Sequence, residues 1–149
     1  MKDLLYEIKG LDLPEKTVLS LEQHLKISED IDTEIDEAAK NFGYFGILSE
    51  RSESRYQKMK FAFDSWQAEA ETRAAQERKS DGEKPFTEAQ MKAHVKSQSK
   101  YSAFQSKLIE LDEQRRILKT ILKAFEIKSG LIQTKASNRR NEFTKHSRR

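Results

Sequence analysis

The chain has 149 residues, 36% hydrophobic and 36% charged, with five Gly, two Pro and no Cys. Its net charge of +3 hides a polar molecule: residues 1–50 carry twelve acids against five Lys, while residues 115–149 carry eleven Lys and Arg against two acids. Average globular composition is about 45–50% apolar and about 25% charged, so the chain cannot easily bury a thick core, and the lack of Cys excludes disulfides and thiolate metal sites. No stretch approaches the roughly 18 apolar residues of a membrane span, and the expected location is cytoplasmic, the host cytoplasm if the chain is phage-encoded.

In chain order, residues 2–9 are expected to form a short amphipathic helix carrying Leu4, Leu5 and Ile8, ended by Gly10. Asp12 and Pro14 then supply helix-start chemistry. Onward to about Arg78 the pattern is helical. Val18, Leu21, Leu25, Ile31, Ile35, Ala38, Phe42 and Phe45 recur mostly at steps of three and four, and Tyr56, Met59, Phe63, Trp66, Ala70 and Ala74 resume the seam. Gly43 and Gly46 interrupt it, each costing about 1 kcal/mol relative to Ala inside a helix; a bend and a break both remain open.

Ser80 to Pro85 is a turn-rich interruption that no helix should cross. Thr87 followed by Gln90 is a capping box, and Phe86 and Met91 occupy hydrophobic-staple positions. This short helix should end near Ser97–Ser99, with Ser99 capping the next. Tyr101, Phe104, Leu108, Leu111, Arg115, Leu118, Leu122, Phe125, Ser129 and Ile132 then step by three and four, a heptad seam. Ile109, Ile117, Ile121 and Leu131 widen it, so Tyr101, Phe104, Leu108, Leu111, Leu118, Leu122 and Phe125 are expected to drive oligomerisation above the dimer, or to close an intramolecular bundle. Residues 137–149 lose the period and should fray.

The expected fold class is therefore all-α: a long helical arm, a tight loop, a short helix and a long C-terminal heptad helix, assembling as a homo-oligomeric bundle or ring. Three segments follow: an acidic arm over 1–50, a helical core and oligomerisation domain over 51–136, and a basic flexible tail over 137–149.

Enzyme chemistry is missing from the pattern. There is no Gly-rich phosphate loop, no Cys nucleophile, and the three His (His24, His94 and His146) lack metal-ligand spacing. Asp30, Asp32, Glu34 and Asp36 alternate around a helix and make a solvated acidic surface. The expectation is a non-enzymatic protein without cofactor or metal.

The basic residues carry more information. Arg115, Lys119 and Lys123 follow at four-residue steps along one helical stripe, and Lys128, Lys135, Arg139 and Arg140 continue the charge. Coiled-coil flanks and helix C-termini are often basic, but a merely solvated flank alternates signs. A one-sign stripe neutralises phosphates without reading sequence. Among aromatics able to stack on bases, Phe63 and Trp66 fall on the seam, while Tyr44, Phe61 and Phe143 are freer. Arg115 lies in the seam itself, either as a buried register-setting residue or pointing into a channel lined by several copies.

With Glu71-Thr72-Arg73 ahead of the Asp81-Gly82 loop, Phe86-Thr87 at the short helix and Ile127-Lys128-Ser129-Gly130 in the last one, the chain from about Trp66 to Arg140 resembles the UvsY-type recombination mediators of tailed bacteriophages. The family pattern is a helix with a basic Lys-x-Arg element, a Gly/Asp loop, a Phe-Ser/Thr start to a short helix, and a long last helix. The family's Lys is Glu71 here, a departure that Arg78 and Lys79 stand close by to offset. The resemblance implies a homo-oligomer that binds single-stranded DNA and helps a RecA-like recombinase displace single-strand-binding protein. It adds Arg73, Arg78 and Lys79 to the DNA-binding candidates Lys119, Lys123, Lys128, Lys135, Arg139 and Arg140. The alternative class is a helical scaffold or adaptor whose charges serve protein contacts only.

Overall fold

The computed structural model describes residues 5–8, 17–20 and 25–146, with no side-chain description for 5–8, 17–20, 145 and 146. Its elements are β1 (Leu5–Ile8), β2 (Thr17–Ser20), α1 (Ile31–Ser80), α2 (Glu88–Ser97) and α3 (Ser99–His146). The all-α expectation holds in its essentials, because the three helices, of 50, 10 and 48 residues, carry nearly all the described chain.

The amino-terminal helix is a correction. Strands β1 and β2 pair antiparallel, with Leu5 opposite Ser20 and Ile8 opposite Thr17. A segment this short lies below the roughly 12–15 residues at which an isolated helix becomes marginal, and Tyr6, Ile8, Thr17 and Val18 are strand formers. The expected roles of Gly10, Asp12, Pro14 and Leu21 fall outside the described residues.

Helix α1 begins at a cap. The Asp30 carbonyl accepts the first helical bond from Glu34 N–H at 3.1 Å, and its carboxylate accepts from Thr33 N–H at 3.3 Å and Thr33 Oγ1 at 2.8 Å. The helix then runs unbroken past Gly43 and Gly46, which excludes the break.

The chain divides into two compact units: unit 1 is Met1–Ser52 with Gln114–Arg149, and unit 2 is Glu53–Glu113. In unit 1, Phe45 and Leu48 of α1 pack with Leu118, Ile121 and Phe125 of α3, with Leu25, Ile117 and Leu122 against them. The Phe45 and Phe125 rings stack with centroids 5.1 Å apart. Ile31, Ala38 and Ile132 form a second cluster. Of the expected seam, Leu118 and Phe125 are covered within the chain, by α1, as the intramolecular alternative requires. The buried line also runs through Ile121 and Lys128 rather than Leu122 and Ser129, which are only half-buried.

In unit 2, Phe63 and Trp66 of α1 meet Phe104 of α3 at 5.7 and 5.4 Å, and Tyr101 lies edge-on to Phe63. Helix α1 stops in a Schellman motif: Gly82 sits at φ +70°, Glu83 N–H donates to the Arg78 carbonyl at 2.9 Å, and Gly82 N–H donates to the Lys79 carbonyl at 3.3 Å. The capping box opens α2 as expected, with Thr87 Oγ1 accepting from Gln90 N–H and Gln90 Oε1 from Thr87 N–H. The helix ends at Ser97; Gln98 is extended, and Ser99 is the first residue of α3 rather than its cap.

The expected loss of helix after 136 is corrected as far as His146, and 147–149 lie outside the described residues. Helix α3 continues to His146, because SNRRNEFTKH holds no Gly or Pro to stop it. Every residue from 137 to 144 is nevertheless exposed.

Candidate nucleic-acid interface

The candidate cations divide between the units. In unit 1, Lys119 and Lys123 are exposed one turn apart on α3. Lys135, Arg139 and Arg140 are exposed farther along. Lys135 Nζ donates to the Ser28 carbonyl at 3.0 Å, fastening α3 to the segment that leads into α1. Lys135 and Arg139 line an open groove of about 430 Å³ with Glu29, Ile31, Asn138 and Glu142. Asp30 lies close enough to feel Arg139. Its carboxyl is held below the ordinary range chiefly by the Thr33 hydroxyl and backbone N–H, with Arg139 a smaller influence.

Lys128 leaves the candidate set. Its side chain is 5% exposed, and Nζ lies 2.9 Å from Glu34 Oε2, itself 7% exposed, so Glu34 is not part of the solvated acidic surface expected of it. Ser28 N–H donates to the other carboxylate oxygen at 2.8 Å. The Lys128 hydrogen bond, followed by that of Ser28, holds the Glu34 carboxyl below the ordinary Glu range. A phosphate reaching this ammonium would first have to displace a buried carboxylate. A signal was present in the sequence: Phe125, Lys128 and Ile132 step by three and four, so Lys128 lies on the apolar line.

In unit 2, Arg78 is committed to the turn. Its guanidinium lies 4.0 Å above the Phe86 ring, and Nε is 2.7 Å from Glu83 Oε2. The Phe86 ring also stacks on His94, with centroids 5.3 Å apart. The expected staple residue is thus part of a cation–aromatic clasp that holds α1, the turn and α2 together. Lys79 is exposed in the last turn of α1. Arg73 is exposed and lines a cavity of about 220 Å³ with Trp66, His94 and Gln98. Glu69 and Glu77 line the same cavity and oppose an anion there. Glu71, the departure from the family element, accepts from Gln67 Nε2 at 3.0 Å.

Chemically, the exposed cations of α3 can neutralise a polyanion, with Glu29, Asp30 and Glu142 standing beside Lys135 and Arg139. Among the described residues no group of His, Asp and Glu is assembled to hold a metal ion, and no helix is long and apolar enough to cross a membrane. In comparisons with family models, curated proteins and solved structures, none matches the chain.

Proposed function

We propose that this chain is a non-enzymatic single-stranded-DNA-binding protein that acts as a recombination mediator, helping a RecA-like recombinase onto DNA coated by single-strand-binding protein. The observation that carries the DNA reading is the run of exposed cations on α3, Lys119, Lys123, Lys135, Arg139 and Arg140, in a stretch, residues 115–149, with only two acids. Such a run binds backbone phosphates by counterion release and carries no sequence code. The mediator role rests on the family resemblance.

A salt titration of binding to a fluorescent single-stranded oligonucleotide tests it. Affinity should fall steeply with salt, with a log–log slope of about −0.7 per phosphate contacted. The quadruple variant Lys119→Gln/Lys123→Gln/Arg139→Gln/Arg140→Gln should lose most of that slope. Absence of binding by the wild type at low salt removes the proposal.

A second reading is a helical scaffold or adaptor, favoured by the apolar side chains left in water. Ile47, Ile127 and Leu131 are all more than half exposed, a surface suited to protein contact, including with further copies of this chain. Native mass measurement tests self-association, and a scaffold would bind no oligonucleotide.

A further inference from the structure

Phe143 is 67% exposed on the last turns of α3, outside both apolar clusters of unit 1. A phenyl ring left in water forgoes the burial free energy that drives folding, so it contributes little to unit 1. Its helical surroundings distinguish it from the other exposed aromatics. Side chains three and four residues apart are neighbours on a helix surface, whereas adjacent residues are not. By that rule Phe143 sits beside Arg139 and Arg140, both exposed, while Glu142 is three residues from Arg139 and lines the groove with it and Lys135. Phe61, 75% exposed, has Lys58 and Asp64 at the corresponding spacings, so opposite signs cancel beside it. Phe42 and Tyr44 are less exposed, at 41% and 45%, and only Lys40 lies at such a spacing from Tyr44.

We propose that Phe143 is a base-stacking residue for single-stranded nucleic acid, with Arg139 and Arg140 holding the adjoining phosphates. The proposal rests on the DNA-binding reading above and deepens it by naming where an unpaired base is held. About one helical turn, 5.4 Å, separates the backbone position of Phe143 from those of the two arginines, a span that a single nucleotide can bridge. Charge complementarity selects the occupant: the two arginines beside the ring favour a polyanion, and the exposed ring favours one with free π faces. Duplex DNA keeps its bases stacked on one another and offers the ring nothing comparable.

The test uses the full chain with two oligonucleotides of equal length and charge, one oligo(dT) and one abasic. Wild type should bind oligo(dT) more tightly. Phe143→Ala and Phe143→Leu should each weaken oligo(dT) binding at least about fivefold, leave abasic binding and the salt slope unchanged, and retain the helical circular dichroism of the wild type. Phe143→Trp should keep the preference. If Phe143→Ala binds oligo(dT) as wild type does while Arg139→Gln/Arg140→Gln loses affinity, the stacking role is wrong and the DNA-binding function stands. Absence of oligonucleotide binding by wild type overturns both. A loss confined to phosphatidylserine vesicles, with oligonucleotide affinity intact, identifies a lipid surface instead and overturns the stacking role.

Discussion

Lys128 of α3 and Glu34 in the first turns of α1 form an ion pair at 2.9 Å with both side chains all but sealed from water. Partners ninety-four positions apart in sequence thereby fix the register of the two helices in unit 1, since sliding either helix would strand a buried charge. Lys128→Met should destabilise the protein by about 3–5 kcal/mol in urea unfolding, because it leaves the carboxylate uncompensated. The double variant Glu34→Met/Lys128→Met should recover most of that loss. Equal losses in the single and double variants would show that side-chain packing, not the unpaired charge, dominates.

The same pair predicts an acid response. Lys128 holds the Glu34 carboxyl below its ordinary range, so Glu34 is deprotonated in the folded state at pH values where an unfolded chain has begun to take up its proton. Its contribution is therefore full above the unfolded value and lost as pH falls through the lower folded value. Urea midpoints measured from pH 7 to pH 3 should fall more steeply for wild type than for Glu34→Gln. Parallel curves would remove Glu34 from the acid response.

Glycines should respond with opposite signs. Gly82 holds φ +70° at the end of α1, so Gly82→Ala should cost about 1 kcal/mol of stability. Gly43 lies inside α1 with no atom within 4 Å of an added methyl group. Gly43→Ala should raise stability by up to about 1 kcal/mol. Thermal unfolding of the two variants checks both signs.

The stacked rings of unit 1 give a fourth expectation. Phe125→Ala should cost about 3–5 kcal/mol, and a double-mutant cycle with Phe45→Ala should show a coupling of about 0.5–1.5 kcal/mol. Additive losses would mean that the rings contribute area without a specific pairing.

Much of this architecture was legible in the residues, and the errors have physical causes. Thr87 and Gln90 announced the start of α2 because a capping box is a local device whose chemistry is complete within four residues. The helical character of 101–132 was legible for the same reason, as periodicity needs no partner. What covers the periodic face was not. Leu118 and Phe125 would look alike in an intermolecular seam and against Phe45, and only the tertiary fold chooses. Lys128 shows the limit for the candidate site: its charge suggested a surface, while its place between Phe125 and Ile132 indicated burial, and Glu34 decides for burial. Arg78 was similarly drawn into the turn by Phe86 and Glu83, neither of which a charge count weighs.

The division of the chain has a consequence for the order in which it acquires structure during synthesis. Unit 2 is one uninterrupted stretch, Glu53–Glu113, whereas unit 1 is assembled from two stretches that flank it. A ribosome therefore delivers everything unit 2 needs before it has made Leu118, Ile121 or Phe125, the partners that Phe45 and Leu48 require. Contacts of such wide sequence separation carry the larger loop-closure cost and form late. Until they form, Phe45 and Leu48 lack the partners that cover them, and a nascent chain halted before Phe125 presents that surface to chaperones and proteases.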